Sequence, residues 1–107
     1  MTINILGQEY DLQELGGNDD ARLSDDLDGY CDGWGKIIRV RNDYNYKSPY
    51  NVSHMEGYKR NVKRHEILHA FFDECGLTGN RSIEEMCEWI ARQFSKLQKV
   101  FQEAGEL

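Results

Sequence analysis

One stretch, Arg64-His65-Glu66-Ile67-Leu68-His69-Ala70-Phe71-Phe72, limits what this chain can become more than any other. Its His65-Glu66-x-x-His69 spacing has chemical meaning on an α-helix. Residues four apart stand one above the other on a helical face, so both imidazoles can reach one ion at about 2.0–2.1 Å, the usual zinc–nitrogen distance. Glu66 follows His65 by about 100° around the axis, beside that face rather than on it. A carboxylate there can take a proton from water activated by Zn²⁺ without binding the ion itself. The second half of the stretch is apolar nearly all round apart from His69, which predicts a buried turn. A buried histidine needs a partner, and a metal ion is the simplest one. His65 and His69 are therefore expected as zinc ligands and Glu66 as the catalytic base.

The helix has legible ends. Ser53-His54-Met55-Glu56 reads as a capping box that starts it near His54, and Gly76 suits a C-terminal cap after Cys75. Tyr58, Val62, Leu68 and Phe72 share the side of His65, whereas Lys59, Arg60, Lys63 and Arg64 gather elsewhere as a solvated face. A second helix is expected from about Ile83 to Ala104, because Ile83, Cys87, Ile90, Ala91, Phe94, Leu97 and Phe101 recur at helical spacing. The short loop around Gly79 makes the two helices antiparallel neighbours.

A catalytic zinc takes three protein ligands, so one must come from outside the first helix. Ser82-Ile83-Glu84-Glu85-Met86-Cys87-Glu88 offers three carboxylates. Glu85 pairs with Ser82 as a second capping box. Glu84 and Glu88 share a face with Cys87 and Ala91, whose small side chains allow the helices to approach closely. Glu84 is the expected third ligand, with Glu88 and Glu85 as alternatives. Glu88 otherwise suits the role of accepting the free ring N–H of a ligating histidine. Cys75 and Cys87 read as core residues, and His54 lies about three turns from His65, too far for the same ion. Iron or another divalent metal fits the same spacing.

The N-terminal third reads as β-structure. Alternating residues from Ile3 to Leu12 predict a hairpin turning at Gly7-Gln8. Gly16 to Asp28 is a Gly- and Asp-rich loop that lacks the regular ladder of a calcium site. Lys36-Ile37-Ile38-Arg39-Val40-Arg41 is the best strand in the chain, and its charges suggest a guarded sheet edge. An extended peptide could add to such an edge as a further strand. Asn42 to Asn51 is a loop whose Tyr44, Tyr46 and Tyr50 could line a cleft or cover the core.

At 107 residues the chain is expected to form one domain, 1–107, around a single modest core. A net charge of −6 argues against nucleic-acid binding. No apolar run is long enough to cross a bilayer, and no export signal is visible, so a cytoplasmic address is expected. An odd set of three cysteines without C-x-x-C spacing suits a reducing compartment.

With these residues in place, the chain resembles the zincin metallopeptidases of the gluzincin type. His65-Glu66-x-x-His69 matches their first helix, and Glu84-x-x-x-Glu88 is similar to their glutamate-bearing second helix. Glu84-x-x-Cys87-Glu88-x-Ile90-Ala91 distantly resembles the second helix of the ImmA/IrrE-like peptidases, and the whole resembles short phage- and prophage-encoded zincin-like proteins. The resemblance implies an α+β fold with a small antiparallel sheet on the metal helix and the glutamate helix behind. It implies a zinc metallopeptidase acting on a protein or peptide substrate. The rival expectation is a non-enzymatic phage protein that engages a host protein and uses zinc only to clip two helices together.

Overall fold

The computed structural model describes residues 1–24, 27–43, 55–78 and 80–107. Four strands, β1 (Thr2–Ile5), β2 (Gln8–Leu15), β3 (Gly29–Asp32) and β4 (Ile37–Arg41), precede two helices, α1 (Met55–Glu74) and α2 (Arg81–Glu103). The domain is α+β. Its sheet has the order β1-β2-β4-β3. β1 and β2 form an antiparallel hairpin whose turn falls on Leu6 and Gly7, with φ of 50° and 91°. Two successive left-handed residues match the tight hairpin turn that follows strand twist, one residue earlier than the expected Gly7-Gln8.

The sheet is mixed, not antiparallel as expected. β3 and β4 pair antiparallel, and β4 then inserts beside β2 in parallel, Leu12 opposite Ile38. The strand expected at the edge is therefore an interior one, and the edge on its side is β3. The charges of β4 have a different cause. Ile38 and Val40 are buried, and the alternate residues lie on the outer face of the sheet. There Arg39 Nη2 pairs with Asp11 Oδ2 at 3.0 Å while Nη1 donates to the Asp11 carbonyl at 2.7 Å, tying β2 to β4.

The other face carries the core: Ile5, Tyr10, Leu12 and Ile38 against Ala70 of α1, with Ile3, Cys31 and Ile67 around them. The apolar turn of α1 is only partly covered. Ala70 is buried, but Ile67, Leu68 and Phe72 are half-buried and Phe71 is exposed, because the sheet covers one side of the helix only. Cys87 is buried as expected of a core residue, whereas Cys75 is exposed beyond the end of α1. That end is set by Gly76 at φ 77°, where Gly76 N–H bonds the Asp73 carbonyl and Leu77 N–H the Phe72 carbonyl. α2 begins two residues earlier than expected. Its cap is Asn80, whose Oδ1 accepts from Ile83 N at 3.0 Å, so Ser82 is already inside the helix and Glu85 pairs with Arg81 instead. The Ser53 capping box, His54, Gly79 and the Tyr44, Tyr46 and Tyr50 loop lie outside the described residues. Among the described residues no helix is long and apolar enough to cross a membrane.

Glu74 closes the lower end of α1 onto the sheet. Its Oε1 accepts from Lys36 Nζ at 2.5 Å and from the buried Tyr10 hydroxyl at 2.6 Å. The Lys36 hydrogen bond, then that of Tyr10, holds the Glu74 carboxyl below its ordinary value of 4.5. A carboxyl depressed on folding contributes stability that is full above its unfolded pKa and is lost as pH falls through the folded one. Glu74→Gln is thus expected to flatten the acid limb of the stability–pH curve below about pH 4.5. Urea unfolding between neutral and acidic pH measures it; an unchanged acid limb would remove the assignment.

Candidate metal centre

α1 and α2 run antiparallel from the Cys75–Asn80 connection, which sets the first turns of α2 against the last three turns of α1. Cys87 and Ala91, both buried, present no bulk between them, and Arg64 Nε donates to the Ala91 carbonyl at 2.8 Å. Helical spacing then brings His65 and His69 onto the face that meets Glu84. His65 Nε2 lies 2.7 Å from Glu84 Oε1, His69 Nε2 lies 2.6 Å from Glu84 Oε2, and the two Nε2 atoms are 3.1 Å apart. Among the described residues His65, His69 and Glu84 form a set able to hold one metal ion.

The donor chemistry fits a cation. His65 Nδ1 faces Glu88 Oε2 at 2.7 Å, and the network assigns the proton to that nitrogen. With Nδ1 carrying a proton, Nε2 is left to face Glu84 either as a second donor or, in the neutral ring, as a lone pair available to a cation. Donors around a tetrahedral zinc stand about 3.3 Å apart; the 3.1 Å between the two imidazoles is near that value, and the two contacts to Glu84 are shorter. The side chains of His65, His69 and Glu84 are 11%, 23% and 59% exposed, so the set opens outward from a buried imidazole to a solvated carboxylate.

Glu88 sits behind His65 rather than in the triangle. Its Oε1 accepts from Asn61 Nδ2 at 3.0 Å and from Arg92 Nε at 2.5 Å. Burial works to raise its carboxyl, and hydrogen bonds from Arg92, Asn61 and His65 outweigh that and hold it below the ordinary value. Glu85 points away, toward Arg81. Sequence reasoning missed Asn61 and Arg92. Arg92 stands one helical turn after Glu88, a spacing that offered a signal, whereas Asn61 reaches Glu88 from the other helix and gave none.

Glu66 is 8% exposed, and its side chain runs beside Gly29 of the sheet. Burial first, then the nearby Glu84 charge, against the opposing pull of His65, pushes its carboxyl up to about 7. Gly29 of β3 makes room for it: a Cβ there would lie 3.0 Å from Glu66 Cγ and 3.2 Å from both the Arg39 carbonyl and Val62 Cγ1. Gly29→Ala is expected to cost about 1–3 kcal/mol by overpacking and to displace the Glu66 side chain. Denaturant unfolding and the Glu66 titration curve measure the two effects; wild-type behaviour in both would show the glycine to be dispensable.

The Cys87 thiol beside the triangle is pushed up to about 12 by burial and then by Glu84 and Glu66, which keeps it neutral. One turn beyond His69, a depression of about 400 Å³ opens between Gly33, Trp34 and Lys36 on the β3–β4 turn and Asp73, Glu74 and Thr78. Comparison of the chain with protein-family models, with curated proteins and with solved structures gives no match.

Proposed function

We propose that the protein is a zinc metallopeptidase with a minimal zincin-like fold, in which His65, His69 and Glu84 hold the metal and Glu66 is the catalytic base. The observation that carries this reading is the meeting of two imidazole Nε2 atoms and one carboxylate within 3.1 Å of each other. When bound, zinc supplies a Lewis acid that acidifies water and polarises a carbonyl. Glu88, held by Asn61 and Arg92, orients His65 through Nδ1 and fixes its tautomer. Glu66 takes the proton of the attacking water on its carboxylate and delivers it to the departing amine. A carboxyl near neutrality is matched to both transfers.

The edge strand β3 supplies the substrate contact in place of β4. Among the described residues no strand pairs with its outer side, and it runs from Gly29, beside Glu66, to the turn at Gly33, beside Asp73. An extended peptide added there passes close to the metal set. The exposed Glu84 favours a site open to a protein loop or extended segment.

Metal analysis of the purified protein, with a cleavage profile on an unbiased peptide mixture, tests the reading. One zinc per chain and chelator-sensitive cleavage are expected. Zinc without cleavage would favour the rival, a metal-clipped interaction protein, which draws support from the few buried apolar side chains joining α1 to α2.

A further inference from the structure

α2 carries an unbroken four-three spacing of Ile83, Cys87, Ile90, Phe94, Leu97, Phe101 and Ala104. This is the seam of a coiled coil, with Cys87, Phe94 and Phe101 at a and the others at d. α1 uses only its beginning. Ile83, Cys87 and Ala91 are the buried residues of α2, and none beyond Ala91 is buried. Phe94, Val100 and Phe101 are 49%, 57% and 48% exposed. The molecule is correspondingly long, with a radius of gyration of 14.9 Å and a greatest extent of 44 Å. A compact chain of this length has a radius of about 13 Å. The second half of α2 thus leaves Phe94, Val100 and Phe101 exposed, with Ile90 and Leu97 half-buried between them.

The charges on this segment are segregated. From Ile90 to Ala104 the a and d positions are apolar, and the flanking e and g positions are Ala91, Gln98, Gln93 and Val100. Arg92, Lys96, Lys99 and Glu103 all fall at c or f, away from the seam. The uncharged face is four positions wide in each heptad, the width that a partner helix covers.

The spacing is also self-complementary. In an antiparallel pair a faces d, which sets Phe94 against the partner's Leu97 and Ile90 against the partner's Phe101, each twice, in four successive layers. A parallel pair would bring the two domain bodies to the same end of the helices, where they compete for space; the antiparallel pair carries them to opposite ends. We infer that the C-terminal half of α2 pairs antiparallel with the same segment of a second copy of this chain. Each copy contributes on the order of 400 Å² of exposed apolar side chain, about 800 Å² in all, which is the size of a weak, transient pairing rather than of a stable dimer. The dimer therefore forms in a concentration-dependent way, and it is independent of the metal set.

Sedimentation velocity from about 1 to about 500 µM tests this. The wild type is expected to pass from monomer to dimer. Leu97→Glu and Phe101→Glu are expected to remain monomeric with unchanged helical circular dichroism, since neither residue is part of the buried core. Lys96→Glu, off the seam, is expected to dimerise like the wild type. A wild type that stays monomeric throughout, or a dimer that survives both seam variants, overturns the inference. Orientation is read from spin labels at K96C or E103C in a C75S background. Labels at position 103 should stand about 20 Å farther apart along the helix axis than those at position 96, which is about 10 Å in direct distance, and equal separations overturn the antiparallel arrangement.

Discussion

Glu66→Gln is expected to lower peptide turnover by about 10²–10⁴-fold while leaving zinc content and fold intact. The reasons are geometric. Glu66 belongs to the same helical turn as His65 but lies off the ligand triangle, so its loss removes no donor atom. Glutamine has nearly the same shape and fits the space that Gly29 leaves. It also cannot ionise, and burial already disfavours the charged form of this side chain, so stability above neutral pH should hold or rise. Steady-state kinetics, zinc stoichiometry and thermal unfolding of the one variant separate the possibilities. Full turnover in Glu66→Gln would remove the proposed base. A biological effect that persists in Glu66→Gln without any turnover would point to the interaction protein.

His65→Ala is expected to abolish zinc binding and with it the metal's contribution to folding. That contribution is about 4 kcal/mol when zinc is present at 1,000 times its dissociation constant. The variant also leaves the Glu84 and Glu88 carboxylates facing each other across a vacated imidazole, where Glu88 loses its Nδ1 partner. Chelation of the wild type should reproduce the loss of the metal contribution and have no effect on the variant. Glu84→Ala should weaken zinc binding far more than Glu85→Ala, because Glu84 touches both imidazoles whereas Glu85 pairs with Arg81 on the solvent side. Equal zinc affinity in the two glutamate variants would move the third donor elsewhere.

The parts of this molecule that follow from local rules were legible. Helical spacing put His65 and His69 on one face, and the same arithmetic put Glu84 and Glu88 on one side of α2. The glycine at 76 marked the end of α1 because a left-handed residue was needed there. What was not legible depends on contacts distant in sequence. Arg39 and Arg41 looked like protection for an edge, since charge on a strand has the same appearance whether it lies on an edge or on an outer face. Only the pairing with β2 decides between them. Ser82-x-x-Glu85 is a sound capping box by composition, yet Asn80, two residues earlier, caps the helix better where the chain turns. Asn61 and Arg92 could not be given a role until Glu88 was known to stand behind His65.

The pairing of β2 with β4 has a consequence for how the chain acquires its shape. The neighbour that locks the first hairpin arrives more than twenty residues later, after β3 has turned back on itself, as the register Asp11–Ile37 to Leu15–Arg41 requires. Loop closure of that length precedes any reward from the parallel ladder, which slows formation of the sheet. During synthesis residues 1–15 would emerge before the strand that flanks them, β4, exists to pair with β2.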